Sequence, residues 1–87
     1  MHFVYILYSA SADRYYTGQT ENLELRLQCH NGGLVTSTKA YLPWELKYNE
    51  VFETRGEAIR REREIKARKS RRYIEELIGS RSVGRVP

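Results

Sequence analysis

Apolar and polar positions alternate along the chain in a way that predicts three strands and three helices. Residues 2–8 are β-branched or aromatic almost throughout, and residues 15–20 follow them after a polar turn. We expect these two segments to be strands that form a hairpin, with the first strand buried on both faces. Gly18 lies inside the second strand, where a glycine indicates a bulge or a close backbone approach.

A short helix and a third strand are predicted next. Thr20 or Asn22 can cap the helix, in which Leu23, Leu27 and His30 fall at helical spacing. The sequence Asn31-Gly32-Gly33 ends it. Residues 34–43 are then predicted to form a loop, and residues 44–52 the third strand.

Capping signals divide the rest of the chain into two more helices. Thr54-Arg55-Gly56-Glu57 has the form of a capping box and opens a helix that runs to about Lys69. Ser70 can cap a last helix over residues 71–78, which Gly79 is expected to stop. Residues 80–87 are small and polar, and they predict a flexible C-terminal tail.

The resulting order, β-β-α-β-α-α, predicts an α+β fold with a small three-stranded antiparallel sheet flanked by helices. We expect one domain over residues 1–79, because 87 residues provide for a single modest core. No apolar run approaches the roughly 20 residues that span a bilayer, and the start lacks the order of a signal peptide. The single cysteine, Cys29, cannot form an internal disulfide. We therefore expect a cytoplasmic protein with no membrane partner.

Positive charge is concentrated in one segment. Between Thr54 and Arg72 lie nine basic and three acidic residues, a local charge of +6 in a chain whose net charge is +4. The remainder is therefore mildly acidic. Such a segment is typical of a surface that binds a polyanion, with nucleic acid as the first candidate. A solvated, arginine-rich helix face is the alternative that the charge alone leaves open.

Glu62 interrupts the apolar face of the long predicted helix. Ala58, Ile59, Glu62 and Ile65 share one stripe, so the carboxylate faces the core side. A charge placed there is costly unless it meets a cation or hydrogen-bond donors. Both a structural salt bridge to an arginine and a metal ligand satisfy this requirement.

Two further polar residues lie on an apolar stripe in the first helix. Arg26 and His30 share a face with Leu23 and Leu27. Arg26 can pair with a glutamate, and His30 can close the helix end. The chain also has seven tyrosines, of which Tyr5 and Tyr16 lie on the two paired strands. Their hydroxyls can join Arg26 and Glu62 in one polar pocket.

In these positions the sequence resembles the GIY-YIG nuclease superfamily, most closely its small, single-domain bacterial members. Phe3-Val4-Tyr5 and Tyr16-Thr17-Gly18 stand where the family has its two triplets, with ten residues between them. The second triplet is followed, in the order typical of the family, by Arg26, His30-Asn31 and Glu62. The resemblance covers residues 3 to about 78. Phe3 replaces the first glycine of the family pattern, and Gln19 stands where the excinuclease members have lysine.

The resemblance implies a metal-dependent endonuclease that hydrolyses phosphodiester bonds. Glu62 would hold one Mg²⁺ or Mn²⁺, and Arg26 would contact the phosphate. Tyr5 or Tyr16 would act as the general base, with its pKa lowered by a nearby cation, and His30 would relay the proton or orient the tyrosine. Gly18 would serve the backbone of the second triplet.

We expect nucleic acid as the partner, with DNA favoured over RNA and read by its structure. A protein partner that supplies specificity is a further expectation, because the sequence shows no appended recognition domain. We assign contacts with the phosphate backbone to a set of basic side chains: Lys39, Arg60, Arg63, Lys66 and Lys69. Two alternatives stay open, namely a nucleic-acid-binding module without catalysis and a protein-interaction domain for an acidic partner.

Overall fold

The computed structural model describes residues 1–84, and the side chains of residues 1–79. Three strands, β1 (His2–Ser9), β2 (Arg14–Thr20) and β3 (Glu45–Phe52), and three helices follow one another in the predicted order, β-β-α-β-α-α. The helices are α1 (Leu23–Asn31), α2 (Arg55–Arg68) and α3 (Arg71–Gly84), and a short 3-10 helix, Lys39–Tyr41, lies in the loop before β3. The α+β architecture predicted from the sequence is confirmed.

The sheet is antiparallel with β1 in the middle, in the order β2-β1-β3. Because β1 has a neighbour on each side and helices over both faces, its central residues are buried, as predicted. Val4 faces α2 and α3, where it packs with Ala58 and Ile65. Tyr5 and Leu7 point to the opposite face, where the loop residue Trp44 and helix α1 cover them.

Side-chain caps fix the starts of all three helices. Asn22 caps α1, because its side chain accepts a hydrogen bond from the backbone N–H of Leu25 at 3.0 Å. Thr54 and Glu57 form the reciprocal capping box at the start of α2. Ser70 caps α3 by accepting from the N–H of Tyr73 at 3.1 Å. These local signals act over three residues, which is why the sequence predicts them correctly.

The predicted end of the last helix is wrong. Helix α3 continues through Gly79 to Gly84, so residues 80–84 are helical, and residues 85–87 of the predicted tail lie outside the described residues. One glycine costs a helix only about 1 kcal/mol relative to alanine. Packing of Tyr73, Ile74 and Leu77 on the core outweighs that cost.

Candidate functional site

The hairpin of β1 and β2 places Tyr5 directly opposite Gly18. A Cβ atom at residue 18 would lie 2.5 Å from the Tyr5 hydroxyl oxygen and 2.7 Å from its Cζ. Gly18 therefore leaves the space that the tyrosine ring occupies. The glycine in β2 reflects a close approach by a side chain, and the register shift of the sheet lies elsewhere, between β1 and β3 at Ile6 and Leu7.

Helix α1 supplies two partners to the Tyr5 hydroxyl. Nε of Arg26 donates a hydrogen bond to it at 3.4 Å, and Nε2 of His30 lies 3.0 Å from it. The two residues are one helical turn apart, so they reach the same hydroxyl from one face of the helix. Tyr5 and His30 are buried, and Arg26 is half-buried. The sequence predicts a polar pocket of tyrosine hydroxyls, Arg26 and Glu62. Tyr5 and Arg26 meet as expected, His30 joins them, and the carboxylate of Glu62 instead accepts a hydrogen bond from Lys66.

The hydrogen bonds of Thr38 indicate which nitrogen of His30 carries the proton. The Thr38 hydroxyl lies 2.8 Å from Nδ1 of His30 and donates to the carbonyl of Val35 at 3.4 Å. Because a hydroxyl has one proton to donate, Thr38 accepts from an Nδ1–H group. Nε2 is then the acceptor for the Tyr5 O–H. The hydrogen bonds run in one direction, from Arg26 through Tyr5 and His30 to Thr38.

Thr38 itself is held by the loop before β3. Its carbonyl accepts a hydrogen bond from Nε1 of Trp44 at 3.0 Å. The side chain of Asn31 in turn bonds to both the N–H and the carbonyl of Trp44, at 2.7 and 3.0 Å. The sequence assigned no role to Thr38. Its position eight residues after His30 has no helical or strand periodicity that would have indicated the contact.

Burial shifts the proton affinities of the two central groups in opposite directions. Burial raises the pKa of Tyr5, and this effect outweighs the hydrogen bond from Arg26, which lowers it. Burial also lowers the pKa of His30, and the charge of Arg26 lowers it further. The expectation that a nearby cation lowers the tyrosine pKa does not hold for Tyr5. Both groups are therefore neutral at neutral pH.

Tyr16 differs from Tyr5 in its exposure. Its ring lies 5.0 Å from the ring of His30 and 6.3 Å from that of Trp44, in edge-on geometry, which fixes its orientation. Among the side chains the structure describes, none hydrogen-bonds its hydroxyl, and that oxygen is not sealed from solvent. Tyr16 thus offers an oriented and free hydroxyl beside a closed hydrogen-bond network.

Glu62 approaches the site from helix α2 on the other side of the sheet. Its side chain is 19% exposed, and it forms an ion pair with Nζ of Lys66 at 2.8 Å. Burial is the main cause of the raised pKa of Tyr5, and the negative charge of Glu62 adds a small further rise. Nζ of Lys66 also lies 5.8 Å from the ring centre of Tyr16. The salt-bridge alternative raised by the sequence is thus realised, with a lysine as the partner.

The side chains of the site can bind a divalent metal ion only if water and substrate supply most of the ligands of that ion. Residues 1–79 contain no group of three His, Cys, Asp or Glu side chains that could enclose a metal. Mg²⁺ usually keeps several waters and takes one or two carboxylates plus substrate phosphates. Glu62 suits such an open site, because the Lys66 that covers it is 51% exposed and free to turn away.

The basic residues of the predicted binding segment lie in different surroundings. Lys66 and Lys69 line a cleft with Tyr16. Arg60 lines a different cleft, with Glu57 and Glu64. Lys39 and Arg63 are exposed.

Arg61, in the same segment, has a structural role. Its guanidinium donates three hydrogen bonds to Glu50 on β3, at 3.0, 3.2 and 3.0 Å, and others to Glu64 and Tyr73. The bonds to Glu50 hold the pKa of Arg61 above its usual range.

Comparisons with known proteins agree with this architecture. The family model described as the GIY-YIG catalytic domain matches residues 1–74. A UPF0213 protein of Staphylococcus haemolyticus is 44% identical over 66 residues, covering 75% of this chain and 79% of that protein. One from Bacillus licheniformis is 39% identical over 79 residues, covering 86% and 80%. The solution NMR structure of a UPF0213 protein from Bacillus halodurans has a TM-score of 0.59 at 32% identity, covering 95% of this chain and 87% of that one.

Proposed function

Because this chain belongs to the GIY-YIG family, we propose that it is a metal-dependent endonuclease that hydrolyses phosphodiester bonds in nucleic acid. Structured DNA is the proposed substrate class. One observation carries the proposal: a buried hydrogen-bond network holds Arg26 and orients the rings around a free tyrosine hydroxyl, and the ion pair of Glu62 with Lys66 lies beside the ring of that tyrosine. Such a network places charged and polar groups without reorganisation at the moment of reaction.

We assign the role of general base to Tyr16. The raised pKa of Tyr5 and the lowered pKa of His30 both oppose transfer of the Tyr5 proton to His30. Tyr5 therefore stays a neutral phenol that holds Arg26, and His30 orients Tyr5. The hydroxyl of Tyr16 has no hydrogen-bond partner among the described side chains, and Nζ of Lys66 lies 5.8 Å from its ring centre. After its own proton has passed to solvent, the oxygen of Tyr16 would take a proton from the attacking water.

Arg26 is the proposed phosphate ligand. Only its Nε is used in the bond to Tyr5, so the two terminal nitrogens are available to phosphoryl oxygens. Glu62 would hold a Mg²⁺ or Mn²⁺ ion, which when bound neutralises charge on the phosphate and the leaving oxygen. Gly18 serves the site by leaving room for Tyr5. For contacts with the phosphate backbone we retain Lys66 and Lys69.

Arg60 is left out of the proposed backbone contacts, because it lies in another cleft. Lys39 and Arg63 stay predictions for the same role. No helix among the described residues is both long and apolar enough to cross a membrane. A cytoplasmic location, where bacterial DNA lies, and a protein partner that supplies specificity belong to the proposal.

A second candidate is a nucleic-acid-binding module of the same fold without hydrolysis. The ion pair between Glu62 and Lys66 favours it, since the ammonium of Lys66 already neutralises the carboxylate. The two candidates differ in one respect only. A hydrolase must exchange that lysine for a metal ion when substrate binds.

The deciding experiment is a cleavage assay on a panel of nucleic acids. Flaps, forks, nicked duplexes and single strands of DNA, with RNA counterparts, are incubated with the protein in Mg²⁺, Mn²⁺ or EDTA. We expect cleavage of at least one branched DNA with a metal ion and none in EDTA. Arg26→Ala should abolish it, and Arg72→Ala, which changes an exposed arginine on α3, should not. Binding of the panel without cleavage in any metal would favour the second candidate.

A further inference from the structure

Two clefts lie at opposite ends of β2, which is an edge strand with a neighbour on one side only. A cleft of about 430 Å³ adjoins the end of the strand and is lined by Gln19, Thr20, Arg26 and Arg55. A cleft of about 480 Å³ adjoins its start and is lined by Arg14, Tyr16, Lys66 and Lys69. The candidate catalytic groups Arg26 and Tyr16 each line one of them.

Helix α2 connects the two clefts along the same edge. It packs on β2, and its first residue, Arg55, lines one cleft, whereas Lys69, just after its end, lines the other. Fourteen helical residues span about 21 Å and seven strand residues about 20 Å, so helix and strand cover the same distance. The polar side of α2 and the free edge of β2 thus form one continuous surface.

Uncompensated positive charge lies at both ends of that surface. Arg14, Arg55 and Lys69 are exposed, and none of them is within ion-pair distance of a carboxylate among residues 1–79. Arg14 lies over the ring of Tyr41, with its guanidinium carbon 4.5 Å from the ring centre, which orients it without neutralising it.

Carboxylates line both clefts as well. Asp13 lies in the larger one and is paired with Arg71, and Glu21 lies in the smaller one. Cations at both ends outnumber them.

We propose that this surface is a backbone track on which one nucleic-acid strand lies along the edge of β2, with Arg55 at one end and Lys69 and Arg14 at the other. The inference rests on the proposed function, whose reactive phosphate would sit between the ends, beside Arg26 and Tyr16. A nucleic-acid strand carries a regular row of negative phosphates, which suits cations at both ends of a surface about 20 Å long. Arg60 lies outside the track, in the cleft with Glu57 and Glu64.

Binding measured in EDTA tests the track without requiring cleavage. Fluorescence anisotropy of a labelled flap duplex is recorded over a series of KCl concentrations for the wild type and for Arg14→Gln, Lys69→Gln and Arg55→Gln. Each track substitution should flatten the slope of log K against log salt by about 0.7–0.9, because one fewer counterion is released. Matched charge removals at Arg60 and at Arg72, which pairs with Glu76, should leave the slope unchanged.

Several outcomes overturn the track: no binding by the wild type, equal slopes in all variants, or an Arg60→Gln slope that falls as far as those of the track variants. Tighter binding of a poly-glutamate peptide than of the flap duplex would also overturn it, in favour of an acidic protein partner.

The cleavage assay reports separately on the proposed function. Altered slopes in a protein that cleaves nothing would support the track and remove the hydrolase. Cleavage with unaltered slopes would support the hydrolase and overturn the track.

Discussion

The ring of Tyr5 occupies the space that a side chain at residue 18 would need, since a Cβ there would lie 2.5 Å from the Tyr5 hydroxyl oxygen. The two residues are paired across the hairpin, and Tyr5 is only 2% exposed. Any side chain at residue 18 therefore displaces the hydroxyl on which Arg26 and His30 converge. The glycine of β2 and the tyrosine of β1 form one structural unit of the site.

Gly18→Ala should destabilise the protein by about 1–3 kcal/mol, because the buried ring has to shift. Gly79→Ala is the matched control, since nothing lies within 4 Å of a Cβ at that helical position. It should stabilise the protein by about 0.5–1 kcal/mol, the usual gain of alanine over glycine in a helix. Urea unfolding measures both. Equal midpoints for the two variants would contradict the close contact.

The two tyrosines of the site should respond differently to loss of the hydroxyl. Tyr5→Phe leaves the buried Nε2 of His30 without a donor and should cost about 1–3 kcal/mol. Tyr16→Phe should change stability by less than about 0.5 kcal/mol, because that hydroxyl has no partner among the described side chains. It should nevertheless abolish cleavage. A Tyr16→Phe protein that is fully active would move the general base to another group.

Thr38 should set the tautomer of His30. We expect the imidazole ¹⁵N shifts of the wild type to report an Nδ1–H tautomer, with the proton shared with the Thr38 hydroxyl at 2.8 Å. Thr38→Val removes that acceptor and should shift the tautomer population, and Thr38→Ser should restore it. His2 provides an internal reference in the same spectrum. A wild-type protein with the proton on Nε2 would refute the assigned direction of the network.

Stability should fall as the solution is acidified below the ordinary pKa of histidine. Burial and Arg26 lower the pKa of His30 in the folded protein, whereas in the unfolded chain it titrates near its ordinary value of about 6.5. As pH falls below that value, the unfolded state binds a proton that the folded state does not, so the free energy of unfolding decreases. Urea unfolding at pH values above and below that point measures the effect.

The same loss of stability should persist in His2→Gln, which keeps His30 intact. An NMR titration of His30 provides the direct check. A midpoint at or above the ordinary histidine value would contradict the prediction.

Glu62→Gln should abolish metal-dependent cleavage, with a loss on the order of 10³-fold, because the amide lacks the charge that holds the ion. Its ion pair with Lys66 is half open to solvent, so the change in stability should stay below about 1 kcal/mol. Glu64→Gln, on another face of the same helix, should keep full activity. A destabilised but fully active Glu62→Gln protein would assign this residue a structural role only.

Much of the fold was predictable because its signals are local. The continuous apolar run of β1, the Asn22 and Ser70 caps and the Thr54–Glu57 box each act within a few residues, and they are correct as predicted. Helical spacing likewise indicated that Arg26 and His30 share a face, as they do in reaching Tyr5.

Tertiary structure decided which partners the charged and polar side chains of the site contact. Among the clustered basic residues, Arg61 pairs with Glu50 because β3 brings that carboxylate next to α2, and Arg60 lies in the cleft that Glu57 and Glu64 line. The pair of Lys66 with Glu62 is local, because the two residues are four apart on one helix. The contact between His30 and Thr38 depends on how an irregular loop packs under Trp44. The sequence alone determined the order of strands and helices and the shared face of Arg26 and His30, because side-chain type and local periodicity are written in it. The proton positions and exposure of the site's side chains follow from contacts between segments distant in the chain, which only packing in three dimensions creates.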